Sequence, residues 1–379
     1  MKVAIAFPGC HRRAGVERVM LECTNFLASR GHETHAFAID WDSDSGAIDP
    51  RVVKHPVAIS SHNYLTRLVG FIRQTRREIY SLSPPPDVRA GFGIESPPYS
   101  VVWMQSVHRA WLEISARQRS FSGRLKQKVN PAHAVILALE KRRFVTRSYT
   151  KVVALSPLVK ADIIRFYAVP DQDIVVIPNG FSPTEFSLEK RLKSRDRVRE
   201  QFGFQDTDRV IIFVANELER KGFYPLLRAI YELNDPRIHL LAVGRLNPAA
   251  YAVEIERMSM SQRLHWTGPS GNVSEFYAAA DLFVLPTQYE AWGLVIIEAM
   301  ACGLPVVTSR LAGASTAIME NQTGMLLDHP HEPGEIAQAI RPFLLGSQPD
   351  ARAISDSVSH YAWDKVLQQY EAVLSAAAV

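Results

Sequence analysis

One stretch in the second half of the chain, residues 282–308, constrains the fold more than any other. An apolar run ends at Pro286, and a short polar turn leads to Gly293. A helical pattern then continues to a stop at Gly303, and a second apolar run follows. This order predicts a buried strand, a loop, a helix and another buried strand.

The start of that predicted helix is suited to an anion. N–H groups in a first helical turn, here those of Leu294 and Val295, have no partner within the helix, and the helix dipole favours negative charge there. Gly293 lets a phosphate approach the backbone. Glu298 lies roughly 5–7 Å further along the axis, within reach of ribose hydroxyls, and Glu290 lies on the sugar side of a diphosphate. Two glutamates alone would fit a solvated helix better than a ligand site, so the interpretation depends on the order of the surrounding residues.

Length and composition indicate a globular protein with two domains. The 379 residues are 47% hydrophobic and 22% charged, and the net charge of +4 requires any basic surface to be local. Cys10, Cys23 and Cys302 form no C-x-x-C pair, which favours reduced thiols over a disulfide or zinc site. There is no apolar run of 18 residues and no signal-peptide pattern, so we expect a cytoplasmic protein.

Strand and helix patterns alternate along the whole chain. The first set of predicted strands covers residues 3–7, 34–39, 101–104, 152–155 and 174–177. The second set covers residues 210–214, 238–243, 264–266, 282–285, 306–308 and 325–327. This alternation predicts two doubly wound α/β domains. We place the first domain at 1–180, joined by a C-terminal helix over 359–379, and the second at 181–358.

The stretch from Ala280 to Pro286 is followed by Glu290 and then by Glu298-Ala-Met-Ala-Cys-Gly-Leu-Pro. This order resembles the nucleotide-sugar site of the family 4 retaining glycosyltransferases. Weaker matches elsewhere extend the resemblance over most of the chain. Family members carry paired glycines after their first strand, and here Ala14 and Gly15 match in part.

The second domain departs from the family pattern at one point. The Lys221-Gly222 pair is intact, but Ala215 and Asn216 replace the usual Gly-Arg pair. By resemblance to the lipopolysaccharide-core glucosyltransferase branch, Arg220 is expected to supply the second positive charge beside Lys221. We place both cations just before a helix, where they would neutralise a diphosphate leaving group.

The resemblance implies a GT-B fold, with two Rossmann-like domains facing a central cleft and the last helix crossing back to the first domain. It implies sugar transfer with retention from a nucleoside-diphosphate sugar, expected to be a UDP-sugar, with no metal or other cofactor required. His108, in a loop after the strand at 101–104, is expected near the donor sugar, and Glu290 is assigned to positioning and electrostatic stabilisation. The acceptor would be a glycan or glycolipid of the cell envelope.

The segment 109–151 is strongly basic and also contains aromatic residues. It carries eleven basic residues against two glutamates, namely Arg109, Arg117, Arg119, Arg124, Lys126, Lys128, Lys141, Arg142, Arg143, Arg147 and Lys151. No nucleic-acid-binding motif accompanies it, so we expect no nucleic-acid partner. An anionic membrane surface or a phosphorylated acceptor fits better, and a solvated helical face is the alternative. Localisation is therefore expected to be cytoplasmic and peripheral to the membrane.

The sequence also bears on a metal site, an epimerase and a non-catalytic binding protein. The acidic loop at 40–44 lacks the glycine and glutamate of a calcium-binding loop, so it is interpreted as solvated. A nucleotide-sugar epimerase of the same fold would turn over the donor without an acceptor. A non-catalytic binding protein would be expected to lose Glu290, Glu298 or Lys221, and all three are present.

Overall fold

The computed structural model describes residues 1–13, 15–44, 46–60, 63–118, 121–245, 248–270 and 272–378. It divides into two compact units, Met1–Asn179 with Trp363–Val379 and Gly180–Ala362. The predicted boundaries differ by a few residues. Residues 359–362 belong with the second unit because the Phe181 N–H donates to the Tyr361 carbonyl at 3.0 Å, and Phe181 pairs with Ala362.

The first unit alternates strands and helices. Its strands are β1 (Lys2–Ala6), β2 (Gly9–Cys10), β3 (Glu33–Ala38), β4 (Asp40–Trp41), β5 (Val53–Pro56), β6 (Val88–Phe92), β7 (Val101–Met104), β8 (Lys151–Ala154) and β9 (Ile174–Val176). Its helices within Met1–Asn179 are α1 (Gly15–Ser29), α2 (Tyr64–Tyr80), α3 (His108–Gln118), α4 (Phe121–Val129), α5 (Pro131–Val145) and α6 (Pro157–Tyr167).

Seven of these strands form one parallel sheet in the order β5-β3-β1-β6-β7-β8-β9. β1 is apolar apart from Lys2 and buried throughout, as expected for a strand covered on both faces. Strand order reverses between β1 and β6, and ligands of doubly wound sheets bind at that switch point, outside the carboxyl ends of the strands.

The second unit repeats the plan. Its strands are β10 (Arg209–Val214), β11 (Ile238–Val243), β12 (Leu264–Trp266), β13 (Leu282–Leu285), β14 (Val306–Ser309) and β15 (Gly324–Leu327). Its helices are α7 (Leu188–Phe202), α8 (Leu218–Lys221), α9 (Phe223–Leu233), α10 (Ala252–Arg257), α11 (Val273–Ala279), α12 (Leu294–Ala301), α13 (Pro333–Leu345) and α14 (Ala351–Ser357). The parallel sheet has the order β12-β11-β10-β13-β14-β15, so its switch point lies between β10 and β13. The prediction of two doubly wound domains is confirmed.

The last helix, α15 (Trp363–Ala377), is part of the first unit. The Tyr370 ring stacks on Trp103 of β7 at 4.4 Å between centroids, and its hydroxyl donates to the Pro178 carbonyl at 3.0 Å. Glu371 accepts a hydrogen bond from His32 at 2.7 Å. These contacts bury one face of α15 within the unit.

The structure contains strands that the sequence patterns did not predict. β6 and β5 belong to the large sheet, although each contains charged or polar residues and is short. β2 and β4 form a small parallel ribbon, and β4 is part of the acidic loop at 40–44. Across the described residues, every helix is too short or too polar to cross a membrane.

Candidate active site

The loops that follow β10 and β13 lie side by side at the switch point of the second unit. The Gln288 N–H donates to the Arg220 carbonyl at 2.9 Å. Gly222 adopts a φ of +79°, and a Cβ there would lie 2.2 Å from the Pro286 carbonyl oxygen. Only glycine meets both conditions, so Gly222 brings Arg220 and Lys221 against the loop that carries Glu290.

Lys221, Arg220 and Glu290 form one charged cluster. Lys221 Nζ makes a direct ion pair with Glu290 Oε2, and the Arg220 guanidinium lies 3.5 Å from the same oxygen. Arg220 also donates to the Tyr289 carbonyl at 2.5 Å and pairs with Glu217 at 2.9 Å. The side chains of Lys221, Glu290 and Arg220 are 12%, 19% and 21% exposed, so these charges interact with little screening.

Burial, with a smaller contribution from the nearby Arg220 guanidinium, lowers the pKa of Lys221 to about 7, and Glu217 opposes the shift. The Glu290 carboxylate acts in the opposite sense, because contact with an anion favours the ammonium form. We conclude that the pKa of Lys221 is lowered, with desolvation as the largest cause. A second anion at this position would raise it again.

The sequence predicts Arg220 and Lys221 just before a helix, and α9 is that helix. The two cations lie within α8, a single helical turn that ends at Lys221, and α9 starts directly after Gly222. The side chains predicted for the diphosphate and for the sugar are in direct contact, because β10 and β13 are hydrogen-bonded neighbours.

Gly293 immediately precedes α12 and has a φ of +99°. Glycine adopts this backbone conformation without steric strain, which allows a tight turn into the helix. No side chain caps the helix, and Leu294 and Val295 are half-buried while the rest of α12 is buried. The N–H groups of this first turn therefore lie at the accessible end of an otherwise buried helix. Glu298 follows one turn later and is 5% exposed.

Backbone hydrogen bonds hold the Glu290 loop to the segment after β14. Glu290 N–H donates to the Leu311 carbonyl at 3.0 Å, and its own carbonyl accepts from Gly313 N–H at 2.8 Å. Ala314 N–H donates to the Trp292 carbonyl at 2.8 Å. The sequence gives no indication of residues 311–314, because backbone pairing between two loops leaves no pattern in side-chain type.

His108 is the first residue of α3, rather than a loop residue as predicted. Its N–H donates to Glu140 Oε1 at 2.8 Å, and its Nε2 lies 3.1 Å from Nδ1 of His133. Burial, with a smaller contribution from His133, lowers the pKa of His108 to about 4. His108 is therefore a neutral imidazole at physiological pH and can donate or accept one hydrogen bond.

Gly15 starts α1 and is exposed after the carboxyl end of β1. Ala14, its predicted partner, lies outside the described residues, as does Arg119 of the basic segment. The acidic loop is occupied by local contacts, with Asp42 accepting from the Arg12 N–H at 2.9 Å and Asp44 pairing with Arg12 at 3.7 Å. Within the described ranges, no group of three acidic, histidine or cysteine side chains is arranged for a metal ion.

The basic segment forms three helices, α3, α4 and α5. α4 packs against α3, and the Gln127 side chain, which is buried, donates to the Leu112 carbonyl at 3.3 Å. Phe121, Leu125 and Val129 recur every fourth residue and are 81%, 54% and 69% exposed. Arg143 is not a surface cation: it is buried and donates to the Pro97 and Ser148 carbonyls.

Two family models match the chain and together span most of it. Residues 13–185 match the model described as Glycosyltransferase Family 4, and residues 194–357 match that described as Glycosyl transferases group 1. The second match contains the Lys221 and Glu290 cluster and α12.

Individual proteins agree with the family models. The lipopolysaccharide glucosyltransferase WaaG of Escherichia coli K12 is 24% identical over 92% of this chain and 90% of its own. A D-inositol 3-phosphate glycosyltransferase of Segniliparus rotundus is 30% identical over 60% of this chain, a match that spans about half, 54%, of that relative.

Solved structures share the fold. A crystal structure of WaaG covers 98% of this chain and 99% of its own, with a TM-score of 0.81 and 23% identity. Anabaena Alr3699/HepE in complex with UDP and glucose covers 99% and 100%, with a TM-score of 0.74 and 18% identity. The GT-B fold predicted from the sequence is confirmed.

Proposed function

We propose that this chain, which belongs to glycosyltransferase family 4, transfers a sugar with retention of configuration from a UDP-sugar to a glycolipid acceptor. It is a nucleotide-sugar-dependent glycosyltransferase, and the retention, the base and the acceptor are the proposed parts. The contact of Lys221 with Glu290, beside the start of α12, carries the proposal, because it places a cation and a carboxylate at one switch point.

The proposed donor site uses three groups of the second unit. The N–H groups of Leu294 and Val295 bind the diphosphate at the start of α12, where Gly293 leaves room for it. Lys221 and Arg220 neutralise the charge that develops as the diphosphate leaves, which is why we expect no metal to be required. Glu298 binds the ribose hydroxyls.

In the proposed reaction, the bond between the anomeric carbon and the diphosphate oxygen breaks. The acceptor oxygen forms a new bond on the same face, and its proton passes to the departing phosphate. Glu290 stabilises the positive charge that develops on the sugar, and His108 orients a sugar hydroxyl through one ring nitrogen. Neither residue is proposed to form a covalent intermediate.

The proposed acceptor is a lipopolysaccharide-core glycolipid, in line with the name of the WaaG relative. UDP is proposed as the nucleotide because the structural neighbour Alr3699/HepE is in complex with UDP and glucose. An acceptor of this class lies at a membrane, so we propose that the protein is cytoplasmic and works at the inner membrane surface.

The basic segment is proposed to make that membrane contact. The row of Phe121, Leu125 and Val129 on α4 is flanked by Arg124, Lys126 and Lys128, all exposed. Apolar side chains at headgroup depth with cations around them are suited to an anionic bilayer. No nucleic-acid partner is proposed.

The test combines binding and product analysis. UDP, GDP and ADP and their sugars are added to the purified protein, and the correct donor raises the melting temperature because it binds only the native state. The identified donor is then incubated with and without core glycolipid. Donor turnover without acceptor would instead support an epimerase. NMR of the product reports the anomeric configuration, and an inverted centre would refute retention.

A further inference from the structure

Three aromatic side chains surround the start of α3. His108 and His133 have ring centroids 5.1 Å apart, and Nε2 of His108 lies 3.1 Å from Nδ1 of His133. Trp111 stacks on His108 at 5.5 Å with an interplanar angle of 19° and also contacts His133 at 5.8 Å. The His108 ring is therefore fixed by a partner on α5 as well as by its own helix.

The backbone beneath these rings is fixed by the same helix, α5. Glu140 accepts from the N–H groups of His108 and Arg109 at 2.8 and 3.4 Å and from the Tyr167 hydroxyl at 2.5 Å. One face of α5 thus supplies a carboxylate for the start of α3 and an imidazole for the first side chain of that helix. His133 and Glu140 hold different parts of the same residue.

The nitrogen contact between the two imidazoles has a chemical consequence. When both rings are neutral, one nitrogen must donate and the other must accept. If Nδ1 of His133 donates, the proton of His108 lies on Nδ1, which becomes a donor to a ligand. If Nε2 of His108 donates, its Nδ1 becomes an acceptor. The tautomer of His133 therefore determines the hydrogen-bonding character of His108.

We propose that His133 is a positioning residue that sets the tautomer and ring orientation of His108 for hydrogen bonding to the transferred sugar. The proposal rests on the proposed function, in which His108 contacts the donor sugar. His133 does not touch the substrate in this assignment. Its effect is on turnover, because a rotated or wrongly protonated imidazole would misplace the sugar while leaving the diphosphate contacts intact.

Two substitutions separate the hydrogen bond from simple packing. His133→Asn keeps a polar atom close to the position of Nδ1, whereas His133→Leu fills the space without one. A matched control is His55→Leu, which breaks the other described histidine pair of this unit, His35 Nδ1 to His55 Nε2 at 2.8 Å. His55 lies on β5, and β3, β1 and β6 separate it from β7.

We expect kcat to fall about tenfold or more in His133→Leu and to stay within about threefold of wild type in His133→Asn. The Kd for UDP should change by less than about twofold in both. Nitrogen-15 NMR of labelled histidines should show one His108 tautomer in wild type and His133→Asn and a mixture in His133→Leu. His55→Leu should match wild type in kcat and in the His108 signals.

The outcomes distinguish this proposal from the proposed function. Wild-type kcat in His108→Ala would remove His108 from the reaction and refute the function assigned to it. A large loss in His108→Ala with wild-type kcat in His133→Leu would refute only the role of His133. A folded His133→Asn that is as slow as His133→Leu, with the same mixed His108 tautomers, would also refute it.

Discussion

Lys221 and Glu290 are paired side chain to side chain, although they follow two different strands of one sheet. In the proposed donor site, the Glu290 carboxylate pairs with the same ammonium group that the diphosphate would bind. The proposed ligand would therefore replace one anion by another at Lys221, and Glu290 would then face the sugar. The ion pair keeps a buried lysine compensated until the donor arrives, since an isolated buried charge would be costly.

Lys221→Ala and Glu298→Ala should each weaken UDP binding by about 1.5–3 kcal/mol, the range for hydrogen bonds to charged groups. Isothermal titration calorimetry measures this directly. Lys193→Ala, an exposed lysine on α7, is the control and should leave the affinity unchanged. Wild-type affinity in both site variants would place the donor elsewhere.

Glu290→Gln should separate binding from turnover. Glutamine removes the carboxylate that competes with the diphosphate for Lys221, so UDP affinity at pH 6.5 should be equal to or tighter than wild type. Turnover should fall by about two orders of magnitude, because a group that stabilises developing charge acts mainly in the transition state. Steady-state kinetics and calorimetry on the same preparation test both parts. Weaker UDP binding with normal kcat would reverse the assignment.

The lowered pKa of Lys221 predicts a pH dependence of UDP binding. Burial lowers the pKa to about 7 in the free protein, and a bound diphosphate raises it again. Binding therefore takes up a proton above pH 7, and affinity should fall as pH rises, by at most about tenfold per unit. The terminal phosphate of UDP, with a pKa of about 6, is already ionised there.

Calorimetry between pH 7 and 9 in buffers of different ionisation enthalpy measures this proton uptake. Lys221→Arg is the matched variant, because a guanidinium keeps its charge over the whole range. Its affinity should be nearly independent of pH, and it should take up no proton. Equal slopes in wild type and Lys221→Arg would assign the titration to another group.

The sequence predicted the structural elements that are formed by consecutive residues. Gly293, Glu298 and the start of α12 follow from one continuous stretch, and the alternation of apolar runs predicted both sheets. The contact of Lys221 with Glu290 was not predictable, because strand order rather than sequence distance brings their loops together. His133 was missed for the same reason: it meets His108 only through the packing of α5 on α3.

Strand prediction failed where the apolar signal was weak. β6 has an arginine and a glycine within five residues, yet it lies beside β1 in the middle of the sheet. Gly91 is needed there because a Cβ would lie 2.8 Å from the Ser96 Cα and 2.9 Å from the Ala6 carbonyl oxygen. The close approach of the backbone leaves room only for glycine at this position. Strand propensity alone would count the same glycine as unfavourable for a strand.

Arg191→Met should destabilise the second unit by about 2–4 kcal/mol. Its buried guanidinium donates to the Ala280 carbonyl at 2.9 Å and to the Gly303 carbonyl at 3.4 Å, just beyond the ends of α11 and α12. Methionine fills the space but removes this donor, so the Gly303 carbonyl loses its contact with the guanidinium and the Ala280 carbonyl keeps only its hydrogen bond from Arg195. Urea denaturation measures the free energy of unfolding. The control is Arg197→Met, which should unfold like wild type because Arg197 lies on the same helix and its side chain is 61% exposed. Equal stability of the two variants would contradict this role.

Membrane attachment should require both the cations and the apolar row of the basic segment. Each basic residue near an anionic surface contributes about 1 kcal/mol, weakened by salt, and each buried apolar group adds to this. Replacing Arg117, Arg119, Arg124, Lys126 and Lys128 with glutamine should abolish co-sedimentation with anionic vesicles. Replacing Phe121, Leu125 and Val129 with serine should weaken it at high salt as well as at low salt, because the apolar contribution is not screened.

The matched control is Arg73, Arg76 and Arg77 of α2, which are exposed cations outside the segment. Their replacement by glutamine should leave sedimentation near wild type, and UDP affinity should be unchanged in all three variants because the proposed donor site lies in the other unit. Binding that is equal for neutral and anionic vesicles would refute the electrostatic part. If the α2 variant lost as much sedimentation as the variant of the basic segment, total charge rather than this surface would hold the protein at the membrane.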